Sequence, residues 1–411
     1  MRSFVAKGAS KNSDAPVILI SESHKQQAAV TNSKQQQQQQ QTSSYPNGPK
    51  QDVKYKNDRV YCMVPFVYNK DFYTTIMQTW GKRCNVINFL TDSIVLKDQD
   101  TNKFRGDLVI GSDNNRKKNK KNDIEDMWKP YWEFPPDSFP DNVIFLNMTR
   151  SWSGCKDDKT GKPKICRHIW EKMWRSWVYV AEHHLNDAEW FCKVDYDTFF
   201  FSENLQYYVR DVKKWDPINE YHYFGQLLAK NNPPLIAGAA ACWSQKTLRD
   251  VAQVYRDMPK GSPRGARPGI CEDRAKATEE VTTATCLKKH LNVDAEAMRD
   301  DTADDNILRE YVMIDPVHNQ LGWNRTEQGE WWYWANKPRN AGEMEDCCAV
   351  RPMAFHKYKK EKDIRVLEDE FYGKSDNKML KKLEHGTREQ DKRMWRYVNK
   401  VRKATDIEKY L

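Results

Sequence analysis

Two aspartates, Asp195 and Asp197, directly follow the apolar run Trp190–Val194 in the stretch WFCKVDYDTFFF. Carboxylates one residue apart at the end of a buried strand present oxygen donors that a hard divalent cation takes well. By itself Asp-x-Asp is common in turns that hold no metal, and such a turn is the plain alternative. The context favours the cation, because a buried strand that is apolar but for Lys193 has little use for two carboxylates at its end unless something cationic waits there.

The elements needed to put the pair at a sheet edge are readable on either side. RVYCMVPFVY, from Arg59 to Tyr68, fits a strand, with Val60, Cys62, Val64 and Phe66 alternating. KDFYTTIMQTWGKRC then reads as a helix closed by Gly81, NVINFLTDS as a second buried strand, and DNVIFLNMT (141–149) as another. Trp170, Met173, Trp174, Trp177, Val178 and Ala181 recur at helical spacing, with Arg167, Lys172, Arg175 and Glu182 assigned to the opposite face. That aromatic stripe is core packing rather than a cofactor box. Strand, helix, strand in this order predicts an α/β fold with a parallel sheet. Such sheets bind ligands beyond the carboxyl ends of their strands, where Asp195 and Asp197 fall.

The 411 residues include 39% hydrophobic and 12% aromatic side chains, with 15 tryptophans, enough to bury a core. The net charge of +9 comes from 67 basic and 58 acidic residues. This mixed balance suits anionic small substrates such as nucleotide sugars better than nucleic acid, for which no motif is present. Ten cysteines and two sequons, at Asn147 and Asn324, point together to an oxidising, secretory compartment and to glycosylation of both asparagines. Cys192, inside the apolar run, reads as a buried free thiol, and adjacent Cys347 and Cys348 as bonded to separate partners.

Residues 1–57 carry seven consecutive glutamines (Gln35–Gln41) and read as a disordered stem or tail. The basic run at 113–123 reads as a solvated loop. Residues 361–411 read as a charged helical C-terminal extension. The longest apolar N-terminal run, APVILI, falls far short of the about 20 residues a spanning helix needs, and no signal peptide is visible. A secretory protein with this sequence is therefore expected to have lost its anchor or to start further upstream.

Six blocks, in order, resemble the core 1 β1,3-galactosyltransferases (T-synthase), relatives of fringe. They are TWGKRCN (79–85), HHLNDAEWFCKVDYDTFFFSENLQYYV (183–209), YFGQ (223–226) with LIAGAAACWSQKTL (235–248), EEVTTATCLKKHLNVDAEAMRDD (279–301), WWYW (331–334) and CCAVRPMAFHKY (347–358). The resemblance covers about residues 58–360 and implies one catalytic domain of the GT-A type, a Rossmann-like, mostly parallel sheet flanked by helices. Asp195 and Asp197 occupy the first and third places of the family's three-aspartate cluster, with Tyr196 in the middle. His356 falls where the family has a histidine that completes the metal shell. Two oxygens and an imidazole suit manganese; a histidine merely packed beside Phe355 is the alternative. Glu280 stands where the family has an aspartate as base, one methylene longer here, and Asp273 is the alternative if an insertion shifts the register.

The resemblance further implies a nucleotide and donor site at Trp80, Lys193, Asp195, Tyr196 and Gly238, with buried packing as the other reading of Trp80. Gly238 is expected to let backbone approach a sugar or a packed strand closely. Trp332, Tyr333 and Trp334 are expected to stack on the acceptor sugar, a core role being equally open for at least one of them. The implied activity is metal-dependent, inverting transfer of galactose from UDP-galactose to N-acetylgalactosamine on glycoproteins. It would run in the Golgi lumen, on a type II membrane protein whose anchor this chain does not display, with a homodimer left open. Two other readings stand beside it: a fringe-like transferase using another UDP-sugar, and a catalytically inactive, glycoprotein-binding chaperone-like relative. A nuclear or RNA-associated role leaves the aspartate pair and the sequons unexplained.

Overall fold

The computed structural model describes residues 58–97, 104–109, 139–146, 169–260, 270–273, 278–300, 305–329, 332–373 and 388–405. The stem or tail over 1–57, the basic run at 113–123 and the sequon asparagine Asn147 lie outside the described residues.

The chain opens with β1 (Val60–Tyr68) and α1 (Lys70–Gln78). Asn69 caps α1 by accepting hydrogen bonds from the backbone N–H groups of Asp71 and Phe72. A 3-10 turn at Trp80–Arg83 follows. In it Gly81 lies so close to α1 that a Cβ would sit 2.8 Å from the carbonyl oxygen of Ile76, which is why the helix exit needs glycine. Next come β2 (Val86–Lys97), β3 (Phe104–Val109), β4 (Val143–Phe145), α2 (Ile169–His183), β5 (Trp190–Val194) and β6 (Phe199–Phe200). They are followed by α3 (Ser202–Tyr207), β7 (Tyr223–Leu228), β8 (Leu235–Ser244), α4 (Gln245–Arg256) and α5 (Glu279–Cys286). The remainder is short pieces: β9 (Glu296–Ala297), β10 (Arg299–Asp300), β11 (Arg309–Glu310), β12 (Val312–Met313), α6 (Val317–Gln320), α7 (Arg325–Gln328), α8 (Trp332–Ala335) and β13 (Ala354–Phe355). Two longer helices, α9 (Glu361–Tyr372) and α10 (Arg388–Thr405), end it.

The central sheet runs β3-β2-β1-β5-β8-β7-β9, with β4 also on β2. Pairing is parallel for β1 with β2, β1 with β5, β2 with β4 and β7 with β9, and antiparallel where β3, β8 and β7 join. This is the α/β domain expected from the sequence, consistent with a GT-A-like single domain. Both faces of the sheet are covered. On β1, Val60, Cys62, Val64 and Phe66 enter one hydrophobic core while Tyr61 and Met63 enter the other, which is why its sequence is apolar almost throughout. Helices α2, α4 and α5 fill the second core, and α1, α9 and α10 the first.

Several expectations change. In α2, Trp170, Met173, Trp177 and Val180 are buried, and Trp177 stacks on Trp243 of β8 at 4.0 Å. Lys172, assigned by periodicity to the solvent face, is buried and donates to the carbonyl of Phe66. The helix is covered on more than its apolar stripe, so a polar side chain there turns to backbone. The segment after 360 shares the main core: Leu367 and Phe371 of α9 and Val401 of α10 are fully buried with Phe199 and Phe355. Arg83 also grips Glu368 of α9 through two hydrogen bonds, at 2.9 and 2.8 Å. Among the described residues no helix is long and apolar enough to cross a membrane.

The cysteine assignments are corrected as well. Cys192 is not a free thiol: antiparallel β5 and β8 place it directly opposite Cys242, and the two are bonded. Cys347 and Cys348 are bonded to each other, both buried, and every other cysteine described is already paired, Cys62 with Cys84 and Cys271 with Cys286. The Cys192–Cys242 bridge closes a separation of 50 residues between neighbouring strands. Replacing both by alanine is expected to lower stability by about 2–4 kcal/mol, read from denaturant unfolding with the slope unchanged. An unchanged midpoint would mean that strand pairing alone sets the register.

Candidate functional site

Strand β5 lies between β1 and β8 and ends at Val194. Its chain then turns sharply. The N–H of Asp195 donates to the carbonyl of Ala239 at 3.3 Å, that of Thr198 to the carbonyl of Asp195 at 3.0 Å, and the Thr198 hydroxyl to Ala239 at 3.1 Å. The turn leads into β6 of a separate three-stranded sheet, β12-β13-β6. There antiparallel pairing sets Phe355 against Phe199 and Ala354 against Phe200. The residue after Phe355 is therefore carried to the aspartate turn, and the N–H of Tyr358 donates to the carbonyl of Asp197 at 2.8 Å.

That residue is His356. Its Nε2 lies 3.2 Å from Asp197 Oδ1 and 3.7 Å from Asp195 Oδ2. One ligand atom from each of the three residues falls within 4.8 Å of the others. Two carboxylate oxygens and an imidazole nitrogen suit a divalent cation, with nitrogen favouring a transition metal over magnesium. The residues fit a metal; Asp197 is the most enclosed of the three, at 8% exposure. Tyr196, between the aspartates, points outward at 39% exposure and packs its ring edge-on to Phe72 at 5.1 Å.

Asp195 divides its two oxygens. Oδ2 faces His356 and Oδ1 lies 3.1 Å from the ammonium of Lys193. Burial pushes the Asp195 carboxyl above its ordinary range, opposed in part by the charges of Lys193 and His356. The Lys193 ammonium also donates to the carbonyl of Gly238 at 3.1 Å and to Glu279 Oε2 at 3.3 Å. Burial works against this cation, but Asp195 and Glu279 outweigh it and raise its pKa. Glu279, buried in the first turn of α5, is pushed up to about 7 by burial, with Lys193 pulling the other way. Glu280 is less buried and turns to Gly238: a Cβ built at 238 would lie 2.8 Å from Glu280 Oε1, 3.2 Å from Lys193 Nζ and 3.5 Å from Asp195 Oδ2. The missing side chain at Gly238 thus leaves room for the ends of three charged side chains. Lys193, Gly238, Glu279 and Glu280 line one narrow cleft backed by Tyr223 and Trp243.

The other candidates divide. Asp273 accepts from the indole N–H of Trp174 at 3.2 Å and is not among the residues lining the cleft. Trp80 is fully buried, with Phe200 edge-on at 6.1 Å. The ammonium of Lys193 faces three protein oxygens, those of Asp195, Gly238 and Glu279. Tyr333 and Trp334 are core residues packed with Ala237 and Ile314; Trp332 alone of the three is open, at 44%. Asn324 is half-buried and caps α7 by accepting from the N–H of Glu327 at 2.7 Å. The inward role of Glu279 was missed, although a buried lysine in WFCKV signals that a second acid must reach it.

No family model matches the chain. Over 206 residues it is 27% identical to glycoprotein-N-acetylgalactosamine 3-beta-galactosyltransferase 1 of Xenopus laevis. That likeness supports a relationship to the galactosyltransferases. The match covers 49% of this chain and 50% of the relative, so the chain spans about half the length of the curated relative it matches.

Proposed function

We propose that this chain is a metal-dependent, inverting β1,3-glycosyltransferase that moves galactose from UDP-galactose to N-acetylgalactosamine on glycoproteins. The observation that supports it most is the approach of Asp195, Asp197 and His356 beside a second acidic group, Glu280, across the gap at Gly238. The relative's name, which specifies galactose transfer to N-acetylgalactosamine on glycoprotein, supports the choice of sugars. The four disulfides described suit an oxidising lumen, which we take to be that of the Golgi.

Asp195, Asp197 and His356 would hold manganese, which supplies positive charge to a diphosphate leaving group. Glu280 takes the proton of the acceptor hydroxyl as its oxygen bonds to the anomeric carbon and the bond to UDP breaks. No covalent intermediate on the protein is needed. Trp332 offers an open ring for an acceptor sugar, and Gly238 keeps the Glu280 carboxylate within reach of the reaction.

The test is a donor screen: UDP released from each UDP-sugar with manganese, with and without a GalNAc-bearing peptide. UDP-galactose with the peptide is expected to give the highest release. Another sugar winning would point to a fringe-like donor, and no release above the metal-free blank would point to the inactive, binding relative. A second expectation concerns Gly238→Ala. The new methyl meets only the ends of flexible side chains, so folding should survive, but Glu280 must move. A displacement of that kind lowers turnover about a hundredfold, read as kcat with the melting temperature as control.

A further inference from the structure

Glu279 and Glu280 are neighbours at the start of α5, yet they sit in different surroundings. Glu280 is partly open and faces the Gly238 gap. Glu279 is 7% exposed, and its charged contact is Lys193. Lys193 is equally enclosed, at 5%. Lys193 is the penultimate residue of β5 and Asp195 the first of the turn that follows, and their side chains meet at 3.1 Å. An ammonium has three hydrogen atoms, and here three oxygens surround it: Asp195 Oδ1 at 3.1 Å, Gly238 O at 3.1 Å and Glu279 Oε2 at 3.3 Å.

The charges decide what this arrangement does. A lysine beside Asp195 alone would cancel the aspartate and compete with any cation for its oxygens. With Glu279 on its other side, the ammonium is shared between two acidic side chains instead of being committed to Asp195 alone. We infer that Glu279 and Lys193 are a positioning pair for Asp195, in which Glu279 draws the ammonium away so that the aspartate remains a competent metal ligand. Because Glu279 and Glu280 are consecutive on one helix, the same pair ties the metal-binding turn to the helix that carries the proposed base. This inference rests on the reading of Asp195 as a metal ligand.

The test reads manganese binding directly, from loss of the free-ion electron paramagnetic resonance signal on titration at pH 7.5, without turnover. Wild type is expected to bind and Asp197→Ala to lose binding. Glu279→Gln should weaken affinity about tenfold, in the range that outer partners of metal ligands command. The doubly neutral variant Lys193→Met with Glu279→Gln should return to within about threefold of wild type, since the competing ammonium has gone with its partner. Glu280→Gln should leave affinity unchanged. Wild-type affinity in Glu279→Gln, or no recovery in the double variant, overturns the inference while the metal site stands. A wild-type chain that binds no manganese overturns the functional reading, and the inference with it. Should Glu279→Gln not fold, the double variant carries the test alone: binding tenfold weaker than wild type sinks the idea.

Discussion

Asp197→Ala is expected to reduce manganese-dependent release of UDP from the preferred UDP-sugar by about three orders of magnitude, a loss of roughly 4 kcal/mol of transition-state stabilisation. Asp197 is the best placed of the three candidate ligands. It is the most enclosed, its Oδ1 lies 3.2 Å from His356 Nε2, and among the described residues it forms no ion pair with a lysine or arginine. Asp195 cannot replace it, because one Asp195 oxygen is already engaged by Lys193. The fold should tolerate the change. The structural contact of Asp197 is made through its backbone carbonyl, which accepts from Tyr358 and is untouched by truncating the side chain. Loss of the carboxylate also removes a like charge beside Asp195. The melting temperature without metal is therefore expected to stay within about 2 °C, corresponding to about 1 kcal/mol for a domain of this size. Manganese should raise the melting temperature of wild type but not of Asp197→Ala, since only a protein with the site gains stability by binding. A variant still stabilised by manganese, or still releasing UDP at the wild-type rate, would move the ion elsewhere.

The aspartate pair was legible in the sequence because its signal is local: five buried residues, then two acids at the point where the strand must end. The helical stripe of α2 was legible for the same reason. His356 is different. Nothing near it in the chain points to a metal; it arrives through the pairing of β13 with β6, a contact over some 155 residues that only the family resemblance anticipated. The disulfides show the same limit. Cys192 and Cys242 each look like buried apolar residues until the register of β5 and β8 sets them face to face. Adjacent Cys347 and Cys348 are joined although neighbours in sequence rarely meet that way. Polar residues inside the fold were the hardest to place. Lys172 and Lys193 both look like surface residues by type, yet one spends its charge on a backbone carbonyl and the other on two acids and a carbonyl. Their burial follows from which helices cover the sheet, and periodicity within one element carries no information on that.

Glu280→Gln is expected to lower turnover by about 10² to 10⁴, the range that a positioned base supplies, while manganese affinity and the KM for the UDP-sugar stay near wild type. The amide has the same shape and cannot accept the hydroxyl proton, so a loss confined to kcat would mark proton transfer rather than packing. Glu280→Asp should recover to within about tenfold of wild type, because the family resemblance places an aspartate at this position and Gly238 leaves the shorter chain space to extend. Glu279 is a poor rival for the role: its carboxylate is buried against Lys193, where an acceptor hydroxyl cannot reach it. Asp273 is a poor rival for a different reason, since it receives the Trp174 indole N–H outside the cleft. Asp273→Asn should accordingly leave kcat unchanged. If Asp273→Asn were the variant that silenced the enzyme and Glu280→Gln remained active, the base would belong to the segment between Cys271 and α5, and α5 would serve only to hold Lys193 in place.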